Sequence, residues 1–132
     1  MTVFDKNIAA TGSIIMAITI ALGAFGAHGL KEILDANALN TFEVGVRYQK
    51  YHGLAILILG LAPSIPQNIK KRVFWFFIIG ILFFSGSIYL LSLNALIPFE
   101  TSVVGPITPI GGMLFIIGWI LLEYGILTLK KR

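Results

Sequence analysis

Four ionisable side chains lie inside or beside long apolar stretches of this chain: His28, Arg47, His52 and Glu123. Such residues are costly in hydrocarbon, so their position alone raises a functional question. His28 and Glu32 are four apart, the spacing that presents two ligands on one helical face, and His52 could approach from a second helix. As a zinc site the set falls short, because zinc takes three or four protein ligands and the chain offers two histidines and no cysteine. Two histidines on adjacent helices could clamp a haem iron, but His28 and His52 are expected at different depths. No metal and no cofactor is therefore expected, and each imidazole is assigned a backbone carbonyl or a neighbouring Glu, Gln49 or Tyr48 as partner. Glu123 could carry a proton, although a structural ion pair with Lys6, Lys70 or Arg72 is the simpler expectation.

Catalytic sets are not visible. The run GAFGAHG has glycines at 23, 26 and 29, but it follows no strand and closes an apolar helix, so neither a dinucleotide-binding nor a P-loop context is met. The six acidic residues are scattered, with no Ser-His-Asp set and no paired carboxylates. The expectation is instead one polar cluster in the outer half of a membrane, structural or binding, made of His28, Glu32, Arg47, Tyr48, Gln49, His52 and Thr108. Glu32, Asp35 and Glu43 would balance Lys31, Arg47 and Lys50 there, and Glu123 would stand apart as an inner-leaflet carboxylate.

The elements that must position these groups follow from composition. The chain of 132 residues is 57% hydrophobic and 12% charged, against about 45–50% and about 25% in an ordinary soluble domain. A small globule needs a polar skin that ten basic and six acidic residues cannot supply, so lipid is the expected solvent. Residues 8–27, 73–94 and 108–129 read as membrane-crossing helices. The remaining apolar run, residues 54–62, covers only about 13 Å of a core about 30 Å thick. Pro63 and Pro66 block its forward extension, so the second span is drawn backward over residues 43–63, with Glu43 and Arg47 as a favourable i, i+4 pair. The expected fold is an all-α, up-down, four-helix membrane bundle forming a single domain.

Orientation follows from the basic residues. Lys6, Lys70, Lys71, Arg72, Lys130, Lys131 and Arg132 fall on one side, and Lys31, Arg47 and Lys50 on the other. The positive-inside rule then places both termini in the cytoplasm and turns Lys31 and Glu100 outward. The net charge of +4 calls for no nucleic-acid partner, since both KKR triplets fall where anionic lipid headgroups lie. Span one is too long and too weakly basic at its start for a cleaved signal peptide, so it reads as a retained helix. Ala9, Ser13, Ala17, Ala21, Ala24 and His28 form a stripe expected to pack on another helix, as do Gly111, Gly118 and Gly125 with Phe115 and Leu122. Phe74 to Phe77 suit an interfacial belt, Ser85 and Ser87 supply interhelical hydroxyls, and Thr108 with Pro109 reads as a helix N-cap and first turn.

Four segments, GAFGAHGL at 23–30, RYQKYHGLAIL at 47–57, FSGSIYLLSL at 84–93 and GPITPIGGMLFIIGW at 105–119, resemble in this order the YgdD/YwdK-like family. These are small four-span bacterial membrane proteins, a domain of unknown function with relatives among small eukaryotic transmembrane proteins. The resemblance covers nearly the whole chain. It carries over Gly26, His28 and Gly29, then Tyr48, Gln49, Tyr51 and His52, then Ser85, Gly86, Ser87 and Tyr89. From the last segment it carries over Gly105, Pro106, Thr108, Pro109, Gly111 and Gly112, while Gly53 stands where such proteins often have Ala. It implies a bacterial inner-membrane location, a four-helix fold, no agreed activity, and a shared site in the outer half around His28, Arg47, Gln49, His52 and the GPITP turn. The functional expectation is a non-enzymatic structural or interaction protein that supports membrane or envelope integrity. Its expected partners are membrane lipids and either a second copy or another membrane protein. The rival expectation is a small proton, ion or solute transporter or channel, because Arg47, Gln49, His52 and Glu123 sit at membrane depth.

Overall fold

The computed structural model describes residues 5–97, 99 and 101–129; Glu100 and the basic triplet at 130–132, both used in the orientation argument, lie outside the described residues. Helix α1 (Lys6–His28) leads through a 3-10 turn (Leu30–Glu32) to α2 (Ala36–Leu61). Helix α3 (Gln67–Gly80) continues through a π-helical turn (Ile81–Ser85) into α4 (Gly86–Ser92), and the short α5 (Thr101–Val104) precedes α6 (Ile107–Leu127). The described residues contain no strand. Three helical stretches are long and apolar enough to cross a membrane: Lys6–Glu32, Gln67–Ser92 and Ser102–Leu127. The count differs from the expected four because α2 carries Asn37, Asn40, Glu43, Arg47 and Lys50 ahead of its apolar run.

Local chemistry explains the helix limits. Helix α2 starts at Ala36 rather than near 43 because Asp35 caps it, its carboxylate accepting the Ala38 N–H at 2.7 Å. It stops at Leu61, where Ala62 turns extended ahead of Pro63. Asp5 caps α1 through the Asn7 and Ile8 amides, at 3.0 and 3.1 Å. The same end is stitched across elements: the Asp5 amide donates to Gly60 O, and Gln67 Nε2 donates to Asp5 Oδ2 at 2.6 Å. Lys70 is not a headgroup-facing member of its triplet. It is 2% exposed and donates from Nζ to Ala62 O at 2.6 Å, so it satisfies a carbonyl at the end of α2, while Lys71 and Arg72 remain exposed. Thr108 does not serve as an N-cap either. Helix α6 begins one residue earlier behind Pro106, and the Thr108 hydroxyl is engaged by Ser87 Oγ at 2.5 Å.

Glycines set the packing. Helices α1 and α2 run antiparallel with backbones in contact: a side chain at Gly12 would strike the Leu57 backbone, and one at Gly60 would strike Ala9. The stripe of α1 that packs is therefore Gly12, Thr19 and Gly26, turned by about 150° around the helix from the expected one; Ser13, Ala17, Ala21, Ala24 and His28 are exposed and only Ala9 of that set is buried. Glycine wins over alanine here because it lets the backbones approach further. On α6 the expected glycine stripe is the one that packs, Gly111 on the Phe83–Phe84 backbone, Gly118 on the Phe77 ring and Gly125 on Ile69. Between the two helical pairs lies a core of Ile56, Leu59, Val73, Phe77, Ile81 and Phe115.

Candidate functional site

The polar groups that reach the interior come from four helices. Thr19 projects from the glycine stripe of α1, Gln49 and His52 from the inner face of α2, Tyr89 from α4 and Trp119 from α6. Tyr89 O–H donates to Gln49 Oε1 at 2.7 Å, Gln49 Nε2 donates to Thr19 Oγ1 at 2.8 Å, and Thr19 in turn donates to Ile15 O at 2.7 Å. Every hydrogen in that line points one way and ends on a carbonyl, which can accept but not pass it on. Next to it Ser85, at the end of the π-helical turn, donates to Gly45 O at 2.7 Å and ties that turn to α2.

His52 is fixed by its two partners. Its Nδ1 lies 2.7 Å from Tyr48 O, a carbonyl, and its Nε2 receives the Trp119 indole N–H at 3.0 Å. A carbonyl only accepts and an indole N–H only donates, so the ring is assigned as the neutral Nδ1–H tautomer. The Phe115 ring stacks on it at 3.6 Å and 10°, and the Phe77 ring meets it edge-on at 5.1 Å. Neither ring nitrogen is left for a metal. Among the described residues no three of His, Asp and Glu converge, and no buried side-chain nitrogen or oxygen lacks a partner.

The structure divides the expected cluster rather than assembling it. Gln49 and His52 are inside, whereas Arg47 is exposed, because five residues along a helix turn a side chain by about 140°. Tyr48 lies at the edge, 37% exposed, against Phe84 at 4.8 Å and Tyr51 at 5.9 Å. Thr108 is with Ser87, away from the others. His28 and Glu32 do not share a helical face: α1 ends at His28, Glu32 belongs to the separate 3-10 turn, and both are exposed. Glu123 is also exposed, five residues beyond Gly118 of the packing stripe, and Lys70, an expected partner, is turned to Ala62 O instead. The sequence reading missed Thr19 and Trp119. Trp119 had a usable signal, since it lies four residues after Phe115 on the edge of the glycine stripe, whereas Thr19 had none stronger than its neighbours Thr11 and Ser13.

Outside the interior, the Asp5 carboxyl is favoured in its ionised form. The Ile8 amide first and the Gln67 side chain second hold it below the ordinary aspartate value. Open grooves flank the helices, among them two that adjoin basic residues on the outer faces. One, of about 190 Å³ between α1 and α2, has Gly23 and Gly26 beneath Arg47 and Lys50; the other, of about 470 Å³, runs from Arg72 past Trp75 and Ile79 to Leu114.

Long apolar helices packed through glycine, with interior polar groups closed on one another, define a small helical membrane protein. The family described as "Protein of unknown function (DUF423)" matches residues 22–112. A UPF0382 membrane protein of Haemophilus influenzae is 45% identical over 106 residues, 80% of this chain and 82% of that one. The UPF0382 inner membrane protein YgdD of Escherichia coli is 38% identical over 118 residues, 87% of this chain and 85% of its own. The UPF0382 membrane protein YwdK of Bacillus subtilis is 36% identical over 113 residues, 84% and 88% of the two chains. The chain belongs to this DUF423/UPF0382 membrane protein family, as the motif resemblance implies. No solved structure matches it.

Proposed function

We propose that this protein is a non-enzymatic, multi-pass protein of the bacterial inner membrane, a packing element that supports membrane or envelope integrity. The observation that carries the reading is the closed interior: Tyr89, Gln49, Thr19, His52 and Trp119 use their donors on one another or on carbonyls. A conduction path needs polar groups open to water or to an exchanging ion. Four spans with both termini cytoplasmic is the topology proposed with it. Its support is the excess of basic residues on that side, and the pairing of α2 with α1 from Phe42 at Gly26 to Gly60 at Ala9, which gives the two helices a common depth. Its partners are membrane lipids and a second copy or another membrane protein, the exposed Ser13, Ala17, Ala21 and Ala24 face of α1 being open to close approach. No nucleic acid is called for.

A small ion, proton or solute transporter is the second reading, favoured by the exposed charges Arg47 and Glu123 on helices that otherwise face lipid. Purified protein in liposomes, assayed for proton and small-ion flux, separates the two. Flux no greater than in protein-free vesicles is expected. Robust flux that is lost in His52→Ala or Glu123→Gln would overturn the packing reading.

A further inference from the structure

The face of α2 turned away from the core changes character along its length. Glu43, Arg47 and Lys50 are exposed on it, followed on the same face by exposed Leu54, Ile58 and Leu61. These charges do not lie beyond the apolar part of α1. Gly23 of α1 meets Val46, so Arg47 is level with a point about 25 Å along α1 from Lys6, on a helix with no charged residue between 7 and 27. Charges at that depth require a counter-group. Among the described residues neither cation has an ion pair; Lys50 has only the Tyr51 ring, 5.9 Å from Nζ to its centre.

Beside these charges runs the groove of about 190 Å³ floored by Gly23 and Gly26. Packing accounts for one of those glycines only. A Cβ at Gly26 would crowd the Phe42 ring at 3.0 Å, but a Cβ at Gly23 would meet nothing nearer than Val46 at an ordinary 3.6 Å. Glycine is a poor helix former. At Gly23 its effect is to keep the groove open beneath Arg47.

We infer that this groove seats one phospholipid with a phosphoethanolamine headgroup, drawn from the leaflet on the side of the connection at 29–35. The recognition is chemical. Arg47 and Lys50, one turn apart, take the phosphate; Glu43, about 6 Å further toward the connection, takes the primary ammonium across the two-carbon linker; and Leu54 and Ile58 continue the face for an acyl chain. The order carboxylate, cations, apolar follows the order ammonium, phosphate, acyl chain. A phosphoglycerol headgroup leaves Glu43 facing an anion without an ammonium, and a choline headgroup brings a cation with no N–H to donate.

This inference rests on the membrane placement proposed above and not on the absence of transport, so lipid selectivity and flux fail separately. Delipidated full-length protein is incubated with an equimolar mixture of phosphatidylethanolamine, phosphatidylcholine and phosphatidylglycerol of identical acyl chains, and native mass spectrometry reads the retained species. A preference of about fivefold for phosphatidylethanolamine over each of the others is expected, the scale of one partly exposed charged contact. Glu43→Gln should abolish that preference, and Gly23→Leu, which fills the groove, should lower retention of all three lipids. Equal retention by the unaltered protein, a preference for phosphatidylglycerol, or an unchanged preference in Glu43→Gln would overturn the assignment.

Discussion

Removing one oxygen atom tests the interior most directly. Tyr89→Phe deletes the hydroxyl that donates to Gln49 Oε1 at 2.7 Å while keeping the ring that packs on Phe42 at 5.0 Å between centres. Gln49 is 5% exposed, so no water replaces the donor, and its amide is still held by Thr19 and cannot turn away. An orphaned buried acceptor costs about 1–3 kcal/mol in water-soluble proteins. Interhelical hydrogen bonds in bilayers couple by about 0.6 kcal/mol on average and up to about 1.7. The expected loss is thus about 1–2 kcal/mol for Tyr89→Phe, with a coupling to Gln49→Leu of about 1 kcal/mol in the double-mutant cycle. The double variant leaves neither partner orphaned, because Thr19 keeps its own bond to Ile15 O. Reversible unfolding in mixed micelles, followed by far-UV circular dichroism, measures all four corners. Additive effects in that cycle, or a Tyr89→Phe protein as stable as its parent, would refute the closed line of hydrogen bonds.

The glycines make a second set of expectations. Gly12→Ala and Gly60→Ala each push a methyl into a facing backbone and should destabilise the same unfolding transition by about 1–3 kcal/mol; Gly86→Ala, with nothing within 4 Å of its Cβ, should be neutral or stabilising by about 0.5–1 kcal/mol. The Asp5 carboxyl is held below its ordinary value, so its contribution is fully present above the unfolded aspartate pKa of about 3.9 and is lost as pH falls through the lower folded value. Stability measured from neutral to acid pH should fall over that range, and Asp5→Asn should remove that part of the slope.

Much of the fold was legible because lipid imposes simple rules. The uncharged lengths of α1, α3–α4 and α6 are readable from composition, and Gly111, Gly118 and Gly125 announce their packing face by recurring every seven residues. Gly12, Thr19 and Gly26 recur in the same way, but alanines on the far side of the helix form a stripe of equally small side chains, and only the approach of the Leu57 backbone distinguishes the two. Helix α2 starts seven residues ahead of the span drawn over 43–63, because span length follows membrane thickness whereas the helix start follows the Asp35 cap. The candidate cluster was legible as a set of residues but not as an arrangement, because a shared depth in a membrane is not proximity: Arg47 and His52, five residues apart on α2, point to different faces. What fixes His52 is Trp119, 67 residues away, a pairing that no local pattern encodes.

That separation along the chain has a consequence for biosynthesis. Among the described residues helix α2 is the one long helix too polar to count as a membrane segment by composition, and its buried side chains draw on residues made much later: Tyr89 is 40 residues beyond Gln49, and Trp119 is 67 beyond His52. A nascent chain that has reached residue 66 can offer Gln49 only Thr19 and leaves the His52 Nε2 lone pair empty. The second helix to be synthesised is therefore the last to be fully paired. It settles only when α6 arrives, and ribosome-bound chains truncated before Trp119 should hold α2 less firmly than the finished protein does.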